Sequence, residues 1–344
     1  GRAGLREAPA MTDAGFALAL LAVAVAGLTW LATRAVLALL VRRAILDRPN
    51  ERSSHDAPTP RGGGIAVIIV LIPAWVAAAL ASGVHVPWLV LGAALLLAAV
   101  SWRDDVKSLG ILWRLGAQIL AVAAGLASLD GPVFHGILPD WLDALAAGFL
   151  WLWFVNLYNF MDGIDGIAAV ETASIGGGVT LVALGAATGP AGAAAWGIAL
   201  AAAALGFLPW NWQRAKLFLG DVGSVPLGYL AGWLLLSLAT AGAWKAALIL
   251  PLYYLADATI TLLRRLRRGE KIWRAHREHY YQRAVQGGMS HAAVVKAILA
   301  GNLALAGLAL GAETGLGPLA LVMAATVAAI LLYRLAFAHA PGPA

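Results

Sequence analysis

The chain has 344 residues, of which 61% are hydrophobic and only 12% are charged, and it contains no cysteine. Soluble proteins carry about a quarter charged residues, so this composition excludes a soluble enzyme. It also excludes an intrinsically disordered chain and a small secreted domain held by disulfides. The class that remains is a polytopic membrane protein.

Long apolar runs follow one another along the chain, separated by short polar breaks. A membrane-spanning helix needs about 20 mainly apolar residues, and the sequence supplies about eleven such runs. The expected fold is therefore all-α, a polytopic helical membrane protein with about eleven transmembrane helices. The predicted spans are 14–41, 64–82, 86–101, 114–130, 141–158, 167–187, 192–209, 223–241, 244–262, 292–312 and 317–338.

The first apolar run is predicted to stay as an anchor, because it is longer than the apolar core of a signal peptide and leads into an arginine-rich loop. Residues 1–10 precede Met11 and begin with glycine. They are predicted to be an expression-vector remnant or a mis-set start. Residues 11–344 are predicted to form a single integral-membrane domain.

The basic residues set the predicted orientation. Most of the 24 Lys and Arg residues fall between spans one and two, three and four, seven and eight, and nine and ten. Lys and Arg collect in cytoplasmic loops, which places the N-terminus outside and the C-terminus inside. The net charge of +6 is thus assigned to the membrane surface rather than to nucleic acid.

Several aspartates fall at the predicted cytoplasmic ends of spans. Carboxylates near a hydrocarbon boundary are costly, so they are functional candidates and must be paired, metal-bound or hydrated. We therefore expect one site facing water that gathers them. The aspartates are Asp104, Asp105, Asp162, Asp165 and Asp221.

The adjacent pair Asp104 and Asp105 follows an apolar span in the stretch SWRDDVK. Neighbouring side chains on a helix point about 100° apart, so one carboxylate can face a metal or nucleophile while the other faces a neighbour. The alternative is a charge pair at a helix end, made with Arg103 and Lys107.

The stretch NLYNFMDGIDGIAAVE, residues 156–171, carries polar side chains at every third position. Its glycines let a ligand approach the backbone. Carboxylate and amide oxygens in such a row suit Mg²⁺. A loop with favourable turn residues is the alternative. The polar positions are Asn156, Asn159, Asp162 and Asp165.

In FLGDVGS, residues 218–224, Asp221 lies between two glycines where an apolar span begins. This is typical of a carboxylate presented at a helix N-terminus, where phosphate oxygens also bind. The alternative is an N-cap. Farther upstream, Arg61 and the glycines of PTPRGGG, residues 58–64, could hold a phosphate, although no P-loop sequence follows.

Residues 264–283 form a basic loop. Clustered arginines suit a pyrophosphate because the guanidinium group matches phosphate oxygens, and a polybasic membrane-surface helix is the alternative. His276 and His279 lie three residues apart, and without a third ligand they are weak evidence for zinc. The candidate arginines are Arg264, Arg265, Arg274 and Arg277.

Together these blocks resemble the polyprenyl-phosphate N-acetylhexosamine-1-phosphate transferase superfamily (glycosyltransferase family 4), in particular its undecaprenyl-phosphate GlcNAc-1-phosphate transferase branch. The resemblance runs from roughly Asp47 to Gln286 and is carried by RPNERSSHDAPTPRGGG, DD, NFMDGIDG and FLGDVGS in this order. It implies membrane enzymes that transfer a sugar 1-phosphate from a UDP-sugar to undecaprenyl phosphate, use Mg²⁺ and release UMP.

The resemblance also implies roles for individual residues. Asp221 is expected to bind Mg²⁺, for which Mn²⁺ is a substitute, and Asp104 and Asp105 to form the essential acidic pair. His276 and His279 match the histidine-containing loop only partly, because the peptidoglycan translocase has consecutive histidines where this chain has AHREH. The nucleotide-proximal positions are Asp162, Gly163, Ile164 and Asp165, with Asn211 and Phe218 facing uracil.

The resemblance thus favours an enzyme of the bacterial cytoplasmic (inner) membrane that acts on a UDP-N-acetylhexosamine and undecaprenyl phosphate, in O-antigen or other envelope polysaccharide synthesis. Membrane lipid is an expected partner and nucleic acid is not. Small-residue faces in spans six and seven permit a homodimer. Alternatives are the phospho-N-acetylmuramyl-pentapeptide transferase, a membrane hydrolase, and a lipid transporter or flippase.

Overall fold

The computed structural model describes residues 13–47, 58–271 and 276–338. The predictions on residues 1–10 and on Arg274 fall outside the described residues. The helices are α1 (Asp13–Arg42), α2 (Gly64–Ala81), α3 (Trp88–Val106), α4 (Ile111–Leu126), α5 (Asp140–Phe160), α6 (Ile167–Gly185), α7 (Ala193–Asn211), α8 (Asp221–Thr240), α9 (Trp244–Ile249), α10 (Leu252–Arg267), α11 (Tyr280–Gln286), α12 (His291–Thr314) and α13 (Leu319–Ala336). Two-residue strands β1 (Leu46–Asp47) and β2 (Thr59–Pro60) pair antiparallel.

The expectation of an all-α polytopic membrane protein is confirmed. In the described part of the chain, eight helices are long and apolar enough to cross a membrane: α1, α2, α5, α6, α7, α8, α12 and α13. Helix α3 ends in a charged turn and α4 is a shorter apolar helix of 16 residues. The predicted span 244–262 is divided into α9 and α10 at Pro251, which has no N–H to donate.

Helix α8 lies in the middle of the bundle, where nearly all of its residues are buried. Small residues make this possible, because a side chain at Gly64 or Gly223 would collide with the backbone of the other helix. Beside α8, the indole N–H groups of Trp75 and Trp196 each donate to the other residue's carbonyl oxygen, at 3.1 and 3.2 Å. The bundle therefore surrounds α8, and this tryptophan pair beside it has both of its indole N–H groups hydrogen-bonded.

The small residues of α6 and α7 pack these two helices against each other. A Cβ atom at Gly176 would lie 2.5 Å from the carbonyl oxygen of Gly197, and one at Gly197 would lie 2.7 Å from that of Gly176. These glycines pack α6 against α7 within one chain, so they give no separate support to the homodimer that the sequence permits.

Contacts between helix ends show that the motifs gather at one end of the bundle. The C-terminal ends of α3, α5 and α7 meet the N-terminal ends of α4, α6 and α8 there, through contacts such as Arg114 with Asp104 and Gly166 with Asn211. At the other end, Lys245 in the first turn of α9 lies 3.2 Å from Glu313 in the last turn of α12. All five motif aspartates lie at the first of these ends, which is called the motif end below.

A buried polar pair joins α6 to α12. Glu171 and Asn302 are both buried, and the amide of Asn302 donates to Glu171 Oε2 at 2.7 Å. A buried polar side chain costs free energy unless it is hydrogen-bonded, so each residue of this pair depends on the other.

Replacing one member of this pair should destabilise the fold more than replacing both. Asn302→Leu leaves Glu171 buried without its partner, and we expect a loss of about 1–3 kcal/mol in the free energy of unfolding. The double variant Glu171→Leu/Asn302→Leu removes both polar groups and should recover most of that loss. Thermal unfolding in detergent measures both effects. A single variant as stable as the wild type would contradict the assignment.

Candidate active site

The centre of the motif end is an arginine between two carboxylates. The Arg61 guanidinium lies 2.6 Å from Asp221 Oδ1 and 3.0 Å from Asp105 Oδ1. Burial works against the charge of Arg61, but Asp221 and Asp105 outweigh it and raise the pKa of the guanidinium. The predicted approach of Asp105, Asp221 and Arg61 is therefore present, although they are separated by up to 160 residues in sequence.

Asp105 also caps α8. Its carboxylate accepts hydrogen bonds from the backbone N–H groups of Asp221 at 3.3 Å and Val222 at 3.0 Å, the first donors of that helix. Gly220 has φ +76°, and a Cβ there would lie 2.9 Å from Asp105 Oδ2. A carboxylate from α3 thus holds the start of α8 and directs Asp221.

Asp104 points to a different partner. Its carboxylate accepts from Arg114 Nη1 at 2.6 Å and from the backbone N–H of Leu109 at 2.6 Å. Arg114 also lies 3.8 Å from Asp221 Oδ2, the carboxylate oxygen that Arg61 does not contact. The adjacent aspartates therefore diverge as the helical geometry predicts, and Arg103 and Lys107 are not the ion-pair partners found for them.

The backbone N–H groups of the glycine loop before α2, residues 62–64, are bonded to carbonyl oxygens of the protein and so are not directed at a phosphate. The N–H groups of Gly62 and Gly63 donate to the carbonyl oxygen of Phe218, at 3.2 and 2.9 Å, and that of Gly64 donates to Leu219 at 2.8 Å. The glycines instead let this loop lie directly against the residues before Asp221. The expectation that these glycines hold a phosphate was wrong, because a run of glycines in the sequence does not show where their backbone N–H groups point.

The two aspartates of the DGIDG segment face different groups. Asp162 lies near the cluster around Arg61, and burial raises its pKa to about 7, with neighbouring carboxylates adding to the shift and Arg61 opposing it. Asp165 instead accepts from the backbone N–H of Ala215 at 3.1 Å and lies 3.3 Å from His291 Nδ1. Asp165 therefore fixes the connection between α7 and α8. It does not join Asp105, Asp162 and Asp221 around Arg61, which are called the acidic cluster below.

The other positions expected near the nucleotide pack within or against the DGIDG segment. Asn211 is buried, accepts from the N–H of Gly166 at 2.9 Å and donates to the carbonyl of Leu217 at 3.0 Å. Ile164 is buried, and Gly163 lies against the hydroxyl of Tyr281. Asn211 and Gly163 thus hold the backbone in place. Phe218 is half-buried and pairs with Arg61 in a short parallel bridge.

A cavity of about 570 Å³ opens beside the acidic cluster, between α3, α4, α5, α8 and α10. Its polar end carries Asp104, Arg114 and Asp221, together with Asn156 and Asn159. Asn156 donates to Gln118 at 2.8 Å, and Asn159 accepts from Ser224 at 3.3 Å. The apolar lining comes from Leu97, Val100, Ile111, Leu115, Phe149, Leu152, Trp153, Phe160, Val225 and Leu262.

The basic segment, residues 264–283, contains glutamates that pair with its arginines. Arg265 is buried and pairs with Glu270 at 2.8 Å and Glu278 at 3.5 Å, so its guanidinium is already engaged by carboxylates. Arg264 is exposed and stacks on the ring of Tyr280 at 4.9 Å. Arg277 lies on the same loop, half-buried. The prediction that these arginines converge on one pyrophosphate is not supported for Arg265.

The two histidines reach the cavity and contact each other. Their ring centroids are 4.7 Å apart, and both line the cavity wall. Burial, with His279 and Arg265 adding to it, lowers the pKa of His276 to about 4, so this imidazole is neutral near pH 7. His279 is held by a buried carboxylate of α10, Asp257, at 3.2 Å. The sequence offers no motif for Asp257 or His291.

The acidic cluster suits a hard divalent cation by the chemistry of its donors. Asp105, Asp162 and Asp221 offer only oxygen atoms, the ligands that Mg²⁺ prefers, and they carry more negative charge than Arg61 supplies. In the described ranges, however, no three acidic or histidine side chains are arranged around a common metal position. A bound cation would share the carboxylates that Arg61 now holds.

Removing the guanidinium between the carboxylates should destabilise the motif end. In Arg61→Gln the buried Asp105 lies near Asp221 without its counter-charge. We expect a loss of about 1–3 kcal/mol in unfolding free energy, less than for a fully buried pair because the Arg61 side chain is 35% exposed. Thermal unfolding measures it, with Arg42→Gln at the exposed end of α1 as control. Equal melting temperatures for Arg61→Gln and wild type would refute this role.

Comparison with known proteins places this site in a family. Residues 87–239 match the model of glycosyl transferase family 4. A decaprenyl-phosphate N-acetylglucosaminephosphotransferase of Mycolicibacterium smegmatis is 30% identical over 82% of this chain and 80% of its own length. A probable undecaprenyl-phosphate N-acetylglucosaminyl 1-phosphate transferase of Bacillus subtilis is 27% identical over 74% of this chain and 73% of its own.

A third relative belongs to the branch that the histidine loop argued against. It is a phospho-N-acetylmuramoyl-pentapeptide-transferase of Corynebacterium urealyticum, 31% identical over 51% of this chain and 63% of its own length. Its match thus covers a smaller share of both chains than those of the two N-acetylglucosamine enzymes. The family match includes Asp104, Asp105, the DGIDG segment and Asp221. The chain belongs to glycosyl transferase family 4, within the polyprenyl-phosphate N-acetylhexosamine-1-phosphate transferase superfamily, and is a phosphoglycosyltransferase.

Proposed function

We propose that the protein transfers N-acetylhexosamine 1-phosphate from a UDP-sugar to undecaprenyl phosphate in a Mg²⁺-dependent reaction. The observation that carries this proposal is the cluster of Arg61, Asp105 and Asp221, in which Asp221 lines the polar end of the apolar cavity. The product is undecaprenyl-diphosphate-sugar and the leaving group is UMP. The names of the relatives from B. subtilis and M. smegmatis favour N-acetylglucosamine as the sugar.

The cavity supports a lipid acceptor. It is apolar along the faces of α4, α5 and α10, and its charged groups lie at the motif end. A prenyl chain would lie along the apolar lining, with its phosphate near Arg114 and Asp104, 2.6 Å apart. Burial of apolar chain favours this arrangement, and Arg114 offers a guanidinium to the phosphate oxygens.

Asp221 is the residue that would hold the metal, with the carboxylates of Asp105 and Asp162 nearby. When bound, Mg²⁺ supplies positive charge against the phosphates of the donor, and Mn²⁺ is expected to substitute. Arg61 contributes to the same neutralisation, since both reactants are anions and must approach each other. Asp165 is assigned to holding the segment 211–217 rather than to the chemistry.

The chemistry is the attack of one phosphate on another. An oxygen of the lipid phosphate forms a bond to the phosphorus that carries the sugar, and the bond from that phosphorus to the bridging oxygen breaks as UMP leaves. The second pKa of a phosphate monoester is about 6, so near pH 7 the acceptor needs little help from a base. Asp104 and Arg114 then serve mainly to position the acceptor.

The donor would lie across the DGIDG segment and the connection between α7 and α8. Phe218 is half-buried beside Arg61 and offers a ring face for uracil. Arg264, in the last turn of α10, and His279, in the loop that follows, can contact the donor phosphates. The ion pairs of Arg265 stiffen this loop.

We assign the motif end to the cytoplasmic side of a bacterial inner membrane, with about eleven spans, because the basic residues gather there. UDP-sugars are then accessible to the site. A transporter or flippase would place its ionisable groups near mid-span, whereas these carboxylates lie at helix ends. An O-antigen or other envelope polysaccharide is the proposed destination.

Loss of the metal ligand should abolish transfer without unfolding the protein. We expect Asp221→Asn to lower the rate of UMP release at least about 100-fold, because one ligand and one negative charge are lost. EDTA should stop the wild-type reaction, and Mg²⁺ or Mn²⁺ should restore it. The assay uses purified protein, undecaprenyl phosphate and a panel of UDP-N-acetylhexosamines.

Asp140→Asn is the matched control, because Asp140 is exposed at the opposite end of the bundle. It should release UMP at the wild-type rate. Undiminished activity of Asp221→Asn would remove Asp221 from the metal site, and a wild-type protein inactive with every donor would refute the proposed reaction.

A polar substitution in the cavity should weaken binding of the lipid acceptor without weakening binding of the UDP-sugar. Leu262→Gln places an amide among the apolar lining residues, where burial of its polar group is unfavourable. We expect the KM for undecaprenyl phosphate to rise about 10-fold while the KM for the UDP-sugar stays within about 2-fold. Steady-state kinetics with each substrate varied in turn measures both. Parallel changes in the two KM values would argue against a prenyl site in this cavity.

A further inference from the structure

We propose that Asp257 is a positioning residue of the transfer reaction, which fixes the tautomer and direction of His279 at the cavity. The inference rests on the proposed function and adds a residue to it that no motif indicates. Asp257 lies on α10, is fully buried, and is separated from His279 by 22 residues.

The carboxylate of Asp257 gathers the loop that follows α10. Its Oδ1 atom lies 3.2 Å from His279 Nδ1 and 3.0 Å from the backbone nitrogen of Tyr280. Its Oδ2 atom accepts from the backbone N–H of Tyr281 at 3.3 Å. Three consecutive residues are thus attached to one side chain, so Asp257 sets where this part of the loop lies.

Two side chains of α10 complete the shell of Asp257. The hydroxyl of Tyr253 donates to Oδ2 at 3.1 Å, and that of Thr261 donates to Oδ1 at 3.4 Å. With these hydroxyls and the two backbone N–H groups as donors, both oxygens of Asp257 act as hydrogen-bond acceptors.

This arrangement determines which nitrogen of His279 carries a hydrogen. An acceptor-only carboxylate requires a hydrogen on Nδ1, so Nε2 bears the free lone pair in the neutral ring. The ring of His279 also lines the cavity. Nε2 can take a proton and then donate it in a hydrogen bond to a phosphate oxygen.

Two neighbouring rings also fix the direction of His279. The ring is further held between His276, at 4.7 Å between centroids, and Tyr281, at 5.6 Å with nearly parallel planes. His279 is therefore fixed in direction before a substrate arrives.

The test is a double-mutant cycle between Asp257→Asn and His279→Ala in the transfer assay. We expect Asp257→Asn to lower kcat/KM for the UDP-sugar about 10–100-fold, the range found when an outer residue that orients a histidine is lost. In the His279→Ala background the same change should cost less than about 3-fold, because the residue that Asp257 acts through is already absent.

Tyr253→Phe and Thr261→Val are the matched controls. Each removes one hydrogen bond to the same carboxylate from α10 without touching the loop. Both should keep kcat/KM within about 3-fold of the wild type. Equal losses for Asp257→Asn in the two backgrounds, or no loss in either, would overturn the positioning role. A wild-type protein without transfer activity would instead overturn the proposed function.

His279→Asn decides the question if Asp257→Asn does not fold. The shorter amide can still donate to Asp257 from near the Nδ1 position but has no group at Nε2. We expect a melting temperature within about 2 °C of the wild type, together with activity as low as that of His279→Ala. A variant as destabilised as His279→Ala would show that the bond to Asp257 does not hold this residue.

Discussion

The guanidinium of Arg61, between Asp105 and Asp221, connects three parts of the chain that are distant in sequence. Arg61 lies just before α2, Asp105 ends α3 and Asp221 begins α8. Two carboxylates this close would repel each other, so the structure of the motif end depends on the cation between them. Because Asp105 also accepts from the first N–H groups of α8, the same interaction fixes where the most buried helix starts.

This arrangement links packing to chemistry. Helix α8 is held by close contacts such as that of Gly64 with Gly223, which leave little freedom for its N-terminus. The carboxylate of Asp221 therefore has a fixed position in the lining of a cavity that is apolar along the helices and charged at one end. An anionic headgroup on a long apolar chain fits such a cavity, and in the proposed reaction the carboxylates would hold the cation that offsets the charge of the two substrates.

Much of the architecture could be predicted from the sequence, because apolar runs and one-sided basic residues directly reflect the bilayer. The meeting of Asp104, Asp105, Asp162 and Asp221 followed from their position at alternate helix ends. Contacts that depend on where a backbone N–H group or a side chain points in the fold could not be predicted. The N–H groups of Gly62 and Gly63 donate to the carbonyl oxygen of Phe218, and Asp165 contacts His291. No sequence spacing indicates either contact. Asp257 lacks a flanking motif, and only the fold brings it to His279.

In the proposed reaction the phosphorus bearing the sugar moves to the lipid. The most direct measurement follows a UDP-N-acetylhexosamine labelled with ³²P at that phosphorus, incubated with purified protein, undecaprenyl phosphate and Mg²⁺. The proposed reaction predicts label in an undecaprenyl-diphosphate-sugar and unlabelled UMP in equal amount. Label that stays with the nucleotide, or appears as inorganic phosphate or free sugar phosphate, would contradict it.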